Sequence, residues 1–287
     1  MTIFNYKTAF KRTIGWITED EQEILRNATV AIAGLGGVGG SHLLTLVRLG
    51  VGRFSIADYD LFELHNMNRQ AGASMSQLGR PKVDVLQEMA LDINPELQIQ
   101  TYPEGISAGN VAQFLDGADV YVDGLDFFVY DARQLVFREA AASGIPAFTA
   151  APLGMSTAFL AFHPDGLSFD QYFQIHPDLS EEEKALRFML GLAPSGLHGP
   201  SLVDPSTINL KEQSGPSTPM GCELCAGVIG TQVLKWLLQR GKTDWAPWAV
   251  QFDAYRMKLR RTWRPGGNSH PVQRLALWLA RRRMLSG

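Results

Sequence analysis

The residues of this chain best suited to chemistry begin with Gly34-Leu-Gly36-Gly37-Val-Gly39, a glycine turn set between a β-branched run and a helical pattern. Glycines at such a turn let the backbone approach a phosphate closely, and the first N–H groups of the following helix are free to donate to it. Asp58 ends the next apolar run, where a carboxylate can accept from a ribose hydroxyl. Asp60, Asn66, Arg69 and Lys82 come after it, in Asp58-Tyr-Asp60, Asn66-Met-Asn-Arg69-Gln70 and Gly79-Arg-Pro-Lys82. The glycines alone do not separate NAD from ATP; the cations do. Hydride transfer needs no positive pair beyond the ribose acid, whereas cleavage between the α- and β-phosphates builds charge on both sides of the breaking bond. Arg69 offers a bidentate fork and Lys82 a point charge at a helix start. Asp123-Gly-Leu-Asp126 ends a further strand, and Asp126 is a hard oxygen ligand able to hold magnesium on phosphates.

These residues need strands that end at one edge. Thr29 to Gly34 reads as a short buried strand, Val38 to Leu49 as a helix closed by Gly50, and Arg53 to Asp58 as a second strand. Helical patterns at 78–93, 107–116 and 130–143 alternate with strand patterns at 97–102, 118–123 and 145–150. The expected fold is α/β, a doubly wound, mostly parallel sheet with a C-terminal antiparallel extension. Thr18 and Glu21 form a capping box for a helix in an N-terminal arm, residues 1–28. Residues 29–150 make the nucleotide-binding region, and 151–287 belong to the same domain. In this last part, Ser156 to Phe162 and Leu167 to Phe169 suggest a hairpin, and 194–221 a long loop on the substrate side. Ala226 to Arg240 reads as a helix, Pro247 to Leu259 as a strand, and Pro271 to Met284 as an amphipathic helix ending in Arg281-Arg-Arg283.

Composition narrows the field. The 26 Lys+Arg and 29 Asp+Glu leave a formal charge of −3, so a globally basic nucleic-acid binder is excluded and a nucleic-acid partner is not expected. No apolar run nears the ~20 residues of a membrane span, and no secretory leader opens the chain, so the expected location is the cytoplasm. Two cysteines, Cys222 and Cys225, rule out a disulfide scaffold.

The ordered series Gly34-x-Gly-Gly-x-Gly39, Asp58-x-Asp60, Asn66-x-Asn-Arg-Gln70, Gly79-x-Pro-Lys82 and Asp123-x-x-Asp126 resembles the ThiF/MoeB-like adenylyltransferases, relatives of the ubiquitin-activating enzymes. The resemblance covers roughly residues 8–150 and resumes at Gly227-Val-Ile-Gly230 and Phe252-Asp-Ala-Tyr255. It implies MgATP and a small ubiquitin-like or sulfur-carrier protein, or a peptide, whose C-terminal carboxylate is adenylated with release of pyrophosphate. By position, Asp58 would contact the ribose, Asn66, Arg69 and Lys82 the phosphates, and Asp126 the magnesium. It also implies a homodimer in which an N-terminal arginine reaches the partner's ATP. Arg12 in Phe10-Lys-Arg12-Thr-Ile14 fits that element, or is a surface arginine ahead of a helix.

Two features depart from the family. Many relatives hold zinc with two Cys-x-x-Cys pairs; here only Cys222-Glu-Leu-Cys225 occurs, so no structural zinc is expected. Cys222 also lies near where relatives place a carrier-accepting cysteine, with shorter spacing to the helix. It is either a nucleophile activated by a helix N-terminus or a small residue packing that helix. Three other functions compete: ATP-dependent dehydration of a modified tRNA adenosine, NAD-dependent oxidoreduction, and a non-catalytic scaffold.

Overall fold

The computed structural model describes residues 3–210 and 212–284, with side chains as far as Arg282. The Arg283 side chain of the C-terminal basic run therefore lies outside the described part. Two compact units divide the chain: Met1–Leu125 with Ala226–Thr243, and Asp126–Cys225 with Asp244–Gly287. The division falls after Leu125 rather than near residue 150, and the first unit takes back a late segment.

In the first unit, β1 (Thr29–Ala33), β2 (Arg53–Ala57), β3 (Gln98–Tyr102) and β4 (Val120–Asp123) are all parallel, in the order β3-β2-β1-β4. The chain winds outward from β1 to β3 and returns to the other side of β1 as β4. That reversal opens a crevice beyond the C-terminal ends of β1 and β4, the place where open α/β sheets bind ligands. The crossovers are α3 (Gly39–Leu49), α4 (Lys82–Ile93) and α5 (Val111–Leu115). On α3, Leu43, Leu46 and Val47 are buried, and Gly50 ends it in the left-handed region at φ 103°, its N–H donating to the Leu46 and Val47 carbonyls. The N-terminal arm contributes α1 (Tyr6–Ala9) and α2 (Glu19–Asn27). The capping box forms in full: Thr18 N–H donates to Glu21 Oε2 at 2.7 Å, and Glu21 N–H to Thr18 Oγ1 at 3.2 Å. The arm is packed, with Tyr6 and Phe10 buried and the Tyr6 hydroxyl donating to the Gly50 carbonyl at 2.5 Å.

The second unit holds α6 (Tyr130–Ala142), β5 (Ala147–Leu153), β6 (Ser156–Phe162), α7 (Phe169–Phe173), α8 (Glu181–Leu192), β7 (Trp248–Asp253), β8 (Lys258–Trp263) and α10 (Pro271–Met284). Between α8 and β7 runs α9 (Pro219–Leu237), whose first residues belong to this unit and whose later ones belong to the first. Strands β5 to β8 pair antiparallel in sequence order. The expected hairpin between 156–162 and 167–169 does not form. Strand β6 pairs instead with β5 and β7, while Phe169 opens α7 beneath the cap of Ser168, whose side chain accepts from Gln171 N–H at 3.2 Å. The reason is aromatic packing: the Phe169 ring sits 4.5 Å from Phe137 and 4.6 Å from Phe173, centroid to centroid. Phe169, Tyr172 and Phe173 are thus core. The segment read as a loop over 194–221 contains two 3₁₀ turns, and α9 starts at Pro219, seven residues before the expected Ala226. Pro247 to Leu259 is not one strand but the whole of β7, a turn, and the start of β8.

Candidate active site

The glycine turn is built by contact between backbones. Gly34 follows β1 at φ +83°, and a Cβ on it would lie 2.3 Å from the Gly124 carbonyl oxygen. A Cβ on Gly39 would lie 1.8 Å from the Gly34 oxygen. Any side chain at either position collides with backbone that cannot swing away. Gly36 differs, because its nearest neighbour would be the tip of the Gln70 side chain at 3.7 Å. Gly34 and Gly39 therefore shape the turn, while Gly36 faces space open to a ligand. No side chain caps the first turn of α3. Its N-terminal N–H groups and the positive end of the helix dipole suit an anion.

A chain of hydrogen bonds ties this turn to the end of β2. Leu35 N–H donates to Asp58 Oδ2 at 2.6 Å, and Asp60 N–H to Asp58 Oδ1 at 2.8 Å. Lys82 Nζ then donates to Asp60 Oδ2 at 2.8 Å, and Lys82 N–H to the Asp60 carbonyl at 2.9 Å. Burial holds the Asp58 carboxyl above the usual carboxylate range, against the downward pull of the two N–H donors and of Lys82. Both Asp58 oxygens already serve the protein, so the residue is a strut of the turn. The Lys82 side chain is only 6% exposed while that of Asp60 is 51% exposed. The ammonium is thus fixed on a buried stem beside a carboxylate that water can reach.

Arg69 is half-buried, its Nη1 donating to the His65 carbonyl at 3.1 Å and to Asn68 Oδ1 at 3.0 Å. Both bonds are local and leave the guanidinium able to turn to a ligand. Asn66 is buried and accepts from Glu63 N–H at 2.8 Å, while its carbonyl takes the Arg69 and Gln70 N–H groups. It holds the loop that carries Arg69 instead of offering its side chain to solvent. Gln70, quoted above only as part of a motif, is buried beside Gly36, and its Oε1 has no partner. A buried amide with an unmet oxygen at a glycine turn is a further candidate that position alone did not single out. Arg12 is exposed in a 3₁₀ turn, Lys11–Thr13. Asp126 opens the second unit, exposed, its Oδ1 accepting from Phe128 N–H at 3.1 Å. A groove in the first unit lined by Asp20, Glu23, Ile24, Ala28, Asp119 and Leu237 lies at the N-terminal ends of β1 and β4, away from the glycine turn.

The sequence matches the ThiF family over residues 10–273. The chain belongs to the ThiF family. It is 38% identical over 122 residues to the tRNA threonylcarbamoyladenosine dehydratase of Bacillus subtilis, covering 42% of this chain and 48% of that one. It is 29% identical over 211 residues to the sulfur carrier protein ThiS adenylyltransferase of Escherichia coli, covering 71% and 80%. The chain thus spans about half the length of the first of these relatives. The solved structure of PaaA shares the fold at a TM-score of 0.67 and 19% identity, covering 91% of this chain and 76% of that one.

In this ThiF-family chain both cysteines are wholly buried in the opening turns of α9. Burial pushes the Cys225 thiol well above its ordinary range, and its Sγ lies 3.1 Å from Thr157 Oγ1. Cys222, the candidate nucleophile, sits inside a helix with no exposed surface, which favours its packing role. Both thiols are expected to resist Ellman's reagent in the native protein and to react once it is unfolded. Native labelling of Cys222 at the rate of a free thiol would restore the nucleophile. Among the described residues no three or more His, Cys, Asp or Glu group together as metal ligands. Nor is any helix among them long and apolar enough to cross a membrane.

Proposed function

We propose that this chain binds MgATP at the glycine turn and adenylates the C-terminal carboxylate of a small ubiquitin-like or sulfur-carrier protein, or of a peptide. The observation that carries this reading is the continuous network from Leu35 through Asp58 and Asp60 to Lys82, which fixes one ammonium at the crevice end of the sheet. In the reaction a carboxylate oxygen attacks the α-phosphorus, the bond to the bridging oxygen breaks, and its electron pair leaves on pyrophosphate. Negative charge grows on both sides, and Lys82 and Arg69 would neutralise it. Lys82 would exchange Asp60 for phosphate oxygens at little cost, because Asp60 is already half in water. Gln70 would direct its amide at the same turn. Arg12 would serve the active site of a second copy, making the working unit a homodimer.

Magnesium fits what the protein offers. Asp126 presents one exposed, hard carboxylate with one oxygen held, and magnesium commonly takes one or two carboxylates and fills its remaining positions with phosphates and water. When bound, the ion would add charge neutralisation on the phosphates. Support for the carboxylate substrate comes from family membership and from the relative named an adenylyltransferase of a sulfur carrier. MgATP is expected to raise the melting temperature and NAD to leave it unchanged. Stabilisation by NAD alone would remove the adenylation reading.

A second reading, tRNA modification, has its own observation. Residues 254–287 hold nine of the 26 Lys and Arg and none of the 29 Asp and Glu, a segregation that the chain-wide charge conceals. Tyr255, Trp263 and Trp278 are exposed among these cations. Arginines interleaved with aromatic rings suit RNA, and one relative is named a tRNA dehydratase. Stimulation of ATP turnover by tRNA, and not by a carrier protein, would favour this reading.

A further inference from the structure

Arg133 on α6 is 2% exposed, the largest of the fully buried side chains. Its guanidinium converges on a single short loop. Nη2 donates to the Asp126 carbonyl at 2.9 Å, and Nη1 to the Val129 carbonyl at 3.0 Å and to that of Phe127 at 3.4 Å. The same group lies over the Phe188 ring, 4.6 Å from its centroid. A buried cation is costly unless oriented dipoles meet it, and a planar fork facing several carbonyls of one loop also fixes how that loop is folded. Within the loop, Val129 N–H donates to the Asp126 carbonyl and Phe128 N–H to Asp126 Oδ1, both at 3.1 Å. The backbone of Asp126 is thus gripped from two sides and one carboxylate oxygen is held from a third.

We propose that Arg133 is the positioning residue for Asp126: without touching nucleotide, it sets the direction in which the second carboxylate oxygen is presented to magnesium. The inference rests on the assignment of Asp126 to magnesium made above. A lysine at the same place lacks the rigid planar fork and would hold the loop only in part.

The test compares ATP affinity with and without magnesium by calorimetric titration, in wild type, Arg133→Met, Arg133→Lys and Asp126→Ala. The affinity without magnesium is expected to be unchanged in both Arg133 variants. The gain on adding magnesium should fall about tenfold in Arg133→Met, the scale on which groups behind metal ligands act, and less in Arg133→Lys. Amide exchange of residues 126–130 should quicken in both. A wild-type magnesium gain in folded Arg133→Met, or an equal fall with and without the metal, overturns the proposal. If Arg133→Met does not fold, Arg133→Lys decides by the same criterion. If Asp126→Ala keeps the full gain while Arg133→Met loses it, the assignment of Asp126 is the part that fails.

Discussion

Lys82→Ala and Arg69→Ala are each expected to slow ATP–pyrophosphate exchange at least ~100-fold, measured with whichever carboxylate substrate the wild type accepts. Removing one preorganised group from a site of developing charge has effects of this order. The two cations reach that result by different routes. Lys82 is held on a buried stem by Asp60, so it is already in place before substrate arrives. Arg69 is anchored within its own loop and must turn. Loss of Lys82 should therefore lower both turnover and ATP affinity, while loss of Arg69 should fall mainly on turnover. Both variants should fold, because a half-exposed Asp60 left alone is hydrated by water. Near-normal exchange in both folded variants would show that the chemistry lies elsewhere.

The glycines give the second large effect, and they divide. Gly34→Ala and Gly39→Ala each drive a Cβ into a carbonyl oxygen, and Gly34 also has a positive φ. The cost should be about 3 kcal/mol or more in each, since backbone has no rotamer by which to yield. For a chain of this size that is a fall on the order of 10 °C in melting temperature. Gly36→Ala meets only a side-chain tip at ordinary contact distance. It should melt within about 2 °C of wild type, yet lose most of its stabilisation by MgATP, because the added methyl stands where a phosphate would approach. Equal melting temperatures for all three variants would contradict the backbone packing described here.

Local signals explain which parts of the fold were legible. The β1–turn–α3–β2 run announces itself through β-branched residues, glycines and the Gly50 cap, all within one stretch of chain. Helix α8 carries an equally local sign, Ser180 ahead of three glutamates, with its hydroxyl accepting from Glu183 N–H at 3.2 Å. The early start of α9 was hidden by Gly221, which looks like a breaker. Its glycine answers a tertiary demand, because a Cβ there would lie 2.4 Å from the Gly154 carbonyl oxygen. Strands β7 and β8 merged because their turn, Ala254-Tyr-Arg-Met257, has no Gly or Pro, and Met257 itself takes φ 50°. At the site, residue types pointed to Lys82, Arg69 and Asp58. That Asp58 braces the turn depends on Leu35, brought beside it by the parallel pairing of β1 and β2, which no single stretch encodes; Asn66 braces its own loop through Glu63, Arg69 and Gln70.

The first unit is completed by residues that lie a hundred positions beyond Leu125. Ala226–Thr243 brings Ile229 and Val233 into its core, the Trp236 indole N–H to the Asp119 carbonyl at 2.9 Å, and Arg240 to the Trp16 carbonyl at 2.8 Å and the Glu21 carboxylate. A nascent chain leaving the ribosome cannot finish this first unit until most of the polypeptide has been translated. Until then, apolar surface on that unit stays open to chaperones or to misassociation. Contacts between residues so distant in sequence also make for slow folding. The junction at 125/126 is consequently a poor place to cut: a fragment ending there would lack part of its own core, however complete its glycine turn.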